Sequence, residues 1–529
     1  MEEFQEYIQL FLIWLISTIV IRAILIRHHN NGDQHHQNPP NPPALPIIGH
    51  LHLISSLQHQ TLHNLSARYG PIFQIFLGSF PCVVVSAPEI AKEFLKTHDS
   101  SFSGRFVKSS AQYYMTYGLK GLVLTPYGSY FKFMKKLCMA ELLGKRTLDQ
   151  LLPLRREETL RFLKLLQKKG EAGEAVDVSG EIITLTNSVI SRMTMSVRCC
   201  AEGGGSLVDS EEIRKMVKDI TEAARKFNNV LDFIWLFKNW DLHGINKRAK
   251  EIKERFDSMM ERVIREHELA RKKMKKEGVD AGGRVKDLLD ILLDILEDNK
   301  KIDEIQLTKE NIKAFILDIF VAGTDTSAIN IEWALAELIN NPNVMEKARK
   351  EIDLVTANNR LVQESDLANL PYLQAIVKET LRLHPVIPLL ARQSTSKTSV
   401  NVCGYEIVSK SILFINLWSM GRNPKIWENP LEFMPERFID EERQLLDLRG
   451  QNFQLLPFGT GRRVCPGASL ALLTVPSTLA AMIQCSEWKV DGNFSMEEQP
   501  HSGVTLARAH PLICVPVPRF HQLSYLGEN

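Results

Sequence analysis

The stretch Pro457-Phe458-Gly459-Thr460-Gly461-Arg462-Arg463-Val464-Cys465-Pro466-Gly467 sets one cysteine among three glycines, two prolines and two arginines. An apolar, helix-capable run follows from Ala468 to Ile483, with Pro476 a candidate kink. Glycine and proline hold backbone in turns that larger side chains would crowd. Such a loop puts the Cys465 thiol at a helix N-terminus, where free N–H groups and the helix dipole favour the thiolate. A thiolate there is a nucleophile or a metal ligand. The plainer alternative is a buried structural cysteine after a glycine-rich turn.

Working outward, Thr308 to Asn340 reads as one long helix, with Thr308 as N-cap, Glu310 in the first turn and Pro342 past the end. At 1.5 Å per residue it would run about 50 Å. In its middle stands Ala322-Gly323-Thr324-Asp325-Thr326-Ser327. Gly323 costs a helix interior about 1 kcal/mol relative to alanine, and Asp, Thr and Ser compete for backbone hydrogen bonds. A kink or a helix–helix contact would explain this weak spot. So would a site that delivers protons, for which an adjacent carboxyl and hydroxyl are suited. Further on, Glu379 and Arg382 share one face of a helix from Tyr372 to Leu383. Pro435-Glu436-Arg437-Phe438 follows.

Together these motifs carry a resemblance. Phe458, Gly461, Arg463, Cys465 and Gly467 fit the signature F-x-x-G-x-R-x-C-x-G, and the chain resembles the cytochromes P450. The likeness runs from residue 39 to about 517 and implies that family's mainly helical fold with a minor β region, preceded by one N-terminal transmembrane helix. It implies haem b as cofactor, with Cys465 as the iron ligand. Arg463, Arg392 and Lys135 would meet the haem propionates, and Phe458 and Gly459 would complete the cofactor loop. Ala322 to Thr326 matches the oxygen-binding groove. There, loss of a Cβ at Gly323 would let a diatomic ligand approach the backbone, and Asp325 and Thr326 would be the catalytic pair that delivers protons. Glu379, Arg382 and Arg437 would form a buried structural triad. Phe315, Ile319, Ala322, Val386, Leu389, Val504 and Leu506 would line the substrate pocket.

Two positions depart from the family pattern. Phe131-Lys-Phe-Met-Lys135 stands where relatives carry W-x-x-x-R/K, so one hydrogen-bond donor to a propionate is missing. Phe106 follows Gly104-Arg105 where relatives tend to have proline, and Val107 to Leu124 would form the loop over the substrate.

The N-terminus carries an apolar run from Ile8 to Ile26, long enough to span or nearly span a bilayer. Glu2, Glu3 and Glu6 precede it, and Arg22 and Arg27 close it. That asymmetry places the C-terminal side in the cytosol, and an acidic start without a small-residue cleavage site speaks against a signal peptide. A polar, then proline-rich stretch with Asn38-Pro-Pro-Asn-Pro-Pro43 follows, a stiff spacer. The expected organisation is anchor 1–29, hinge 30–50 and catalytic domain 51–529, on the endoplasmic reticulum membrane. Net charge is 64 − 62 = +2, so no nucleic-acid partner is implied. Eight cysteines without a C-x-x-C pair suggest neither a zinc site nor a disulfide framework. Gly459-Thr-Gly461 lacks the third glycine and the strand–helix context of a dinucleotide site. NADPH is therefore expected to act only through a separate reductase. Lys132, Lys135, Lys136, Lys145 and Arg146 read as its acidic partner's docking site or as a solvated helix face.

The resemblance extends to a plant microsomal group that includes flavone synthase II, dihydroxypterocarpan 6a-monooxygenase, isoflavone synthase and β-amyrin 24-hydroxylase. Asp325-Thr326 resembles the flavonoid-oxidising members. Arg265-Glu-His-Glu-Leu-Ala-Arg271 is similar to the triterpenoid ones. The expected activity is hydroxylation or desaturation of a flavonoid or isoflavonoid, with triterpenoid hydroxylation as the alternative. A reductase-independent thiolate-haem isomerase or dehydratase is disfavoured by Thr326. A non-catalytic haem-binding paralogue has only Phe131 and Phe106 in its favour.

Overall fold

A computed structural model describes residues 38–107, 109–197, 230–234, 244–277, 286–298, 305–357, 359–439, 446–490, 495–499 and 504–519, with scattered positions among 6–18, 215–223 and at 241. The expected anchor and the glycine-rich stretches at 203–205 and 281–283 fall wholly or mostly outside the described residues. The principal helices are α1 (Gln58–Tyr69), α2 (Ser129–Leu137), α3 (Leu152–Glu171), α4 (Val178–Met195), α5 (Ile245–Glu277), α6 (Leu288–Glu297), α7 (Lys309–Asn340), α8 (Pro371–Leu383) and α9 (Ala468–Cys485). The strands are β1 (Ile72–Leu77), β2 (Phe80–Val85), β3 (Val176–Asp177), β4 (Leu389–Gln393), β5 (Val400–Val402), β6 (Tyr405–Ile407), β7 (Ile412–Asn416), β8 (Ser486–Lys489) and β9 (Ile513–Pro518).

The chain forms two compact units. The smaller comprises residues 1–104, 229–240 and 391–416, the larger residues 105–228, 241–390 and 417–529. In the smaller unit β1 and β2 make a hairpin, antiparallel with Ile72 opposite Val85 and Leu77 opposite Phe80. Its turn needs Gly78, whose φ is +59 and whose missing Cβ would lie 1.8 Å from the Phe233 carbonyl oxygen. β7 joins β2 in parallel, with Cys82 beside Ile412, and the sheet order is β1-β2-β7-β4. Consecutive buried residues Val83, Val84 and Val85 show that β2 is covered on both faces.

The larger unit is built around α7. Thr308 caps it with a reciprocal box: its hydroxyl accepts from the Asn311 N–H at 3.3 Å, and the Asn311 side chain accepts from the Thr308 N–H at 2.9 Å. Phe315, Phe320 and Trp333 are fully buried, each gaining about 1.5–3 kcal/mol from burial. A helix apolar all round belongs in a core, and α7 packs against α4, α8 and α9. α7 and α9 have the length and hydropathy of membrane spans, but both are mostly buried inside the molecule. α9 continues through Pro476. A second sheet, β3-β9-β8, lies at the C-terminal region; it is not legible in the sequence, since β3 is two residues long. Within Arg265 to Arg271, His267 bonds Asp287, the N-cap of α6, at 3.0 Å. That motif clasps two helices.

Candidate active site

The cysteine loop is folded by its own backbone. Gly459 and Gly461 have φ of +66 and +68, a region that L side chains rarely occupy. The Cys465 N–H donates to the Phe458 carbonyl at 2.9 Å, and the Val464 N–H to Gly461 at 3.1 Å. Gly467 caps α9. The Cys465 sulfur accepts backbone N–H bonds from Gly467 and Ala468, and with the Lys135 charge these favour the thiolate. Burial outweighs them, and the thiol pKa is raised. The helix N-terminus thus favours the thiolate as expected but does not outweigh burial; a bound metal cation is the charge that would reverse the balance. Cys138 is buried nearby, and burial and the Cys465 charge push its thiol up to about 12.

Whether haem fits can be tested on this geometry. Cys465 keeps an open surface, although the surrounding protein is dense enough to desolvate its sulfur. That combination describes a side chain facing an internal space. On α7, Ala322 is likewise open while Phe320, Thr324 and Asp325 are buried. Cations gather in the same unit. Arg463 is buried, donates to the Thr125 carbonyl at 2.6 Å, and is lowered to about 10 by burial and then by the like charge of Arg105. Arg105 is also lowered to about 10 by burial, and it donates to the Val123 carbonyl at 3.2 Å. Lys135 donates to the Arg462 carbonyl at 3.0 Å. Two desolvated, mutually repelling guanidinium groups with an ammonium close by suit a dianionic ligand edge. The Cys465 thiol would supply a soft sulfur donor to the iron, so the residues fit the group.

Phe131 occupies this cluster in an unforeseen way. Its ring face lies 4.0 Å from the Arg463 guanidinium and 6.0 Å from the Lys135 ammonium. An aromatic face thus holds the cations where a donor was expected. Arg105 was also missed, because an arginine in a loop carries no sequence signal of its own.

On α7, the Thr326 hydroxyl donates to the Ala322 carbonyl at 2.7 Å. The Asp325 carboxylate is buried and accepts from the Thr505 hydroxyl at 3.1 Å. At Gly323 a Cβ would stand 2.7 Å from Ile190 Cδ1 on α4, so the helix–helix contact offered by the sequence is present here. Of the expected pocket residues, Phe315 and Leu506 are wholly buried and serve as core. Ile319, Ala322, Leu389 and Val504 remain partly or largely open, and Val386 is buried. Val386 and Leu506 are brought together by the Leu506 N–H to Val386 carbonyl bond of 2.8 Å. Arg392 is fully buried on β4, in the smaller unit.

Behind these groups Glu379 receives Arg382 at 2.7 Å on each oxygen, and Arg437 Nε and the Met434 N–H at 2.9 and 2.8 Å. All three side chains of the triad are buried. Arg382 and Arg437 spend their remaining donors on carbonyls of Gly421, Pro430, Glu428 and Glu432. Such a network is fully satisfied only when intact.

A thiol set by a glycine-built loop at the start of α9, with Arg463, Arg105 and Lys135 in the same unit, is the donor set of a haem-thiolate oxidoreductase. The chain belongs to the cytochrome P450 family, whose model, described as Cytochrome P450, matches residues 39–515. It is 53% identical over 516 residues to the 3,9-dihydroxypterocarpan 6A-monooxygenase of Glycine max, covering 97% of this chain and 98% of that protein. It is 44% identical over 531 residues to the beta-amyrin 24-hydroxylase of Glycine max, covering 98% and 99%. A zebra fish cytochrome P450 structure with abiraterone matches with TM-score 0.70 at 23% identity, covering 87% of this chain and 100% of that one, and shows the fold. The protein is a monooxygenase with haem b as cofactor, and its electrons come from NADPH through a reductase.

Proposed function

We propose that the protein oxidises an isoflavonoid or flavonoid of the pterocarpan type. The observation that carries this is its 53% identity to a dihydroxypterocarpan monooxygenase across nearly the full length of both chains, against 44% for the triterpenoid hydroxylase. Haem, when bound, lets dioxygen take two electrons and two protons so that one oxygen atom enters a C–H bond and the other leaves as water; removal of a second hydrogen instead gives desaturation.

The chain's own residues divide the remaining tasks. Cys465 would hold the iron. Arg463, Arg105 and Lys135 would hold the propionates with Phe131 beneath them. Phe458 and Gly459 shape the loop that sets the sulfur. Asp325 and Thr326 sit where protons must enter a mostly apolar site, the carboxyl as donor and the hydroxyl as relay. Ile319, Ala322, Val386, Leu389 and Val504 offer apolar surface that orients the substrate and excludes water. The organisation assigned is a membrane anchor over 1–29, a hinge over 30–50 and a cytosolic catalytic domain over 51–529, at the endoplasmic reticulum. The reductase would meet the basic face of α2.

The test is turnover in microsomes carrying a plant reductase and NADPH, with flavanones, pterocarpans and β-amyrin offered together and products identified by mass spectrometry. An oxidised or desaturated (iso)flavonoid is expected. A hydroxylated triterpene as sole product would overturn the substrate class.

A further inference from the structure

Thr505 lies between Val504, assigned to the pocket, and the core residue Leu506, and its side chain turns to α7. Its hydroxyl donates to Asp325 Oδ2 at 3.1 Å. Asp325 is 4% exposed. The loop that carries Thr505 is fastened on both sides of it. The Leu506 N–H donates to the Val386 carbonyl at 2.8 Å, and the Leu506 carbonyl accepts from Trp333 Nε1 at 2.9 Å. Gln499 and Ala509 add backbone bonds at 2.9 and 2.8 Å to Ala507 and Glu497. Trp333 stands on the same helix as Asp325, so α7 grips this loop at two points.

From this geometry we infer that Thr505 is a positioning residue for proton delivery. It holds the Asp325 carboxylate in one orientation and ties that orientation to the loop that meets the substrate. The inference rests on the reading of Asp325 as the proton donor of this site.

The chemistry is direct. A hydroxyl donating to one carboxylate oxygen restricts the rotation of the group, and with it the direction in which a proton is offered. A carboxylate free to rotate about its terminal torsion samples a broad range and holds a proton in line with its acceptor for less of the time. Val504 is 56% exposed and adjoins Thr505 directly in the chain. A substrate pressing on Val504 therefore reaches the carboxylate through one peptide unit. This offers a physical route from occupancy of the pocket to readiness of the proton path.

The decisive comparison is Thr505→Val against Thr505→Ser. Valine keeps the shape and removes the donor; serine keeps the donor and loses a methyl. In the holoenzyme reconstituted with reductase, Thr505→Val is expected to lower product formed per NADPH about tenfold, the worth of one hydrogen bond to a charged group, with hydrogen peroxide rising to match. Thr505→Ser should return most of the coupling. A second readout needs no turnover. The infrared C–O stretch of the ferrous carbonyl complex reports the polarity of the distal side, and it should shift in Thr505→Val and stay near the parent value in Thr505→Ser.

Unchanged coupling together with an unchanged C–O band in Thr505→Val would overturn the inference, as would equal damage from both variants, which marks mere packing. If the parent enzyme oxidises none of the offered substrates, the proposed substrate class fails, while the carbonyl band still decides the role of Thr505.

Discussion

At Phe131 a single side chain replaces one kind of recognition with another. The sequence shows only a lost donor, whereas the structure shows a ring 4.0 Å beneath the Arg463 guanidinium. A cation over an aromatic face gains about 0.5–2 kcal/mol, more when desolvated, and Arg463 is buried. Phe131→Leu removes the π face while keeping an apolar side chain of similar bulk. Haem should then leave about 2- to 30-fold faster, read by transfer of the group to an excess of globin apoprotein. Phe131→Trp should retain haem at least as well as the parent. Equal loss rates for Phe131→Leu and the parent would mean that the stacked cations do nothing for haem retention. This residue shows why local reading stops short: a motif gives residue types at fixed spacing, and a ring's use as a platform depends on Arg463, which lies more than three hundred positions away.

At the scale of elements, α7 organises the loop before α2 through one carboxylate. Asp318 is buried and accepts the N–H groups of Leu122 at 2.5 Å and Val123 at 2.8 Å. Gly121 permits this approach, since a Cβ there would lie 2.2 Å from Asp318 Oδ2. Burial raises the Asp318 carboxyl to about 6, against the two backbone bonds that lower it. The sign follows from the raised value. Below about pH 4 the group is protonated whether the chain is folded or not and costs nothing. As pH rises to about 6 the unfolded chain ionises first, so stability from this group is lost, and above about 6 the loss is constant at about 3 kcal/mol. The difference in unfolding free energy between the parent and Asp318→Asn should therefore fall by up to about 3 kcal/mol between pH 4 and 6 and stay level to pH 8. A difference that is flat throughout would show that Asp318 ionises normally. Thr308 at the start of α7 and the apolar run after it were legible in the sequence, because capping and periodicity are local. Asp318 was not, because an acid inside an apolar helix gives no hint of the two N–H groups that hold it.

For the whole molecule, sequence reading reaches the family, the glycine-built turn before α9 and the Glu379–Arg382–Arg437 network, since each rests on residue types at fixed spacing. It reaches less of what the fold assembles from distant segments: the β3-β9-β8 sheet, the Arg105–Arg463 pair and the Thr505–Asp325 bond. Surface charge belongs to the same scale, because a partner meets a face rather than a residue. Lys132, Lys136, Lys145 and Arg146 are all exposed on or just after α2, on a chain whose net charge is only +2. A local basic field steers an acidic partner toward this face. Lys136→Glu should raise the reductase concentration needed for half-maximal NADPH-dependent turnover several-fold at low ionic strength. The gap from the parent should narrow as salt rises, since exposed charges are screened over about 10 Å at 0.1 M. The reduced carbonyl spectrum should be unchanged, because Lys136 points away from the buried side chains of its helix. Turnover that ignores the reversal at every salt concentration would place the reductase on another face and leave this cluster a solvated helix surface.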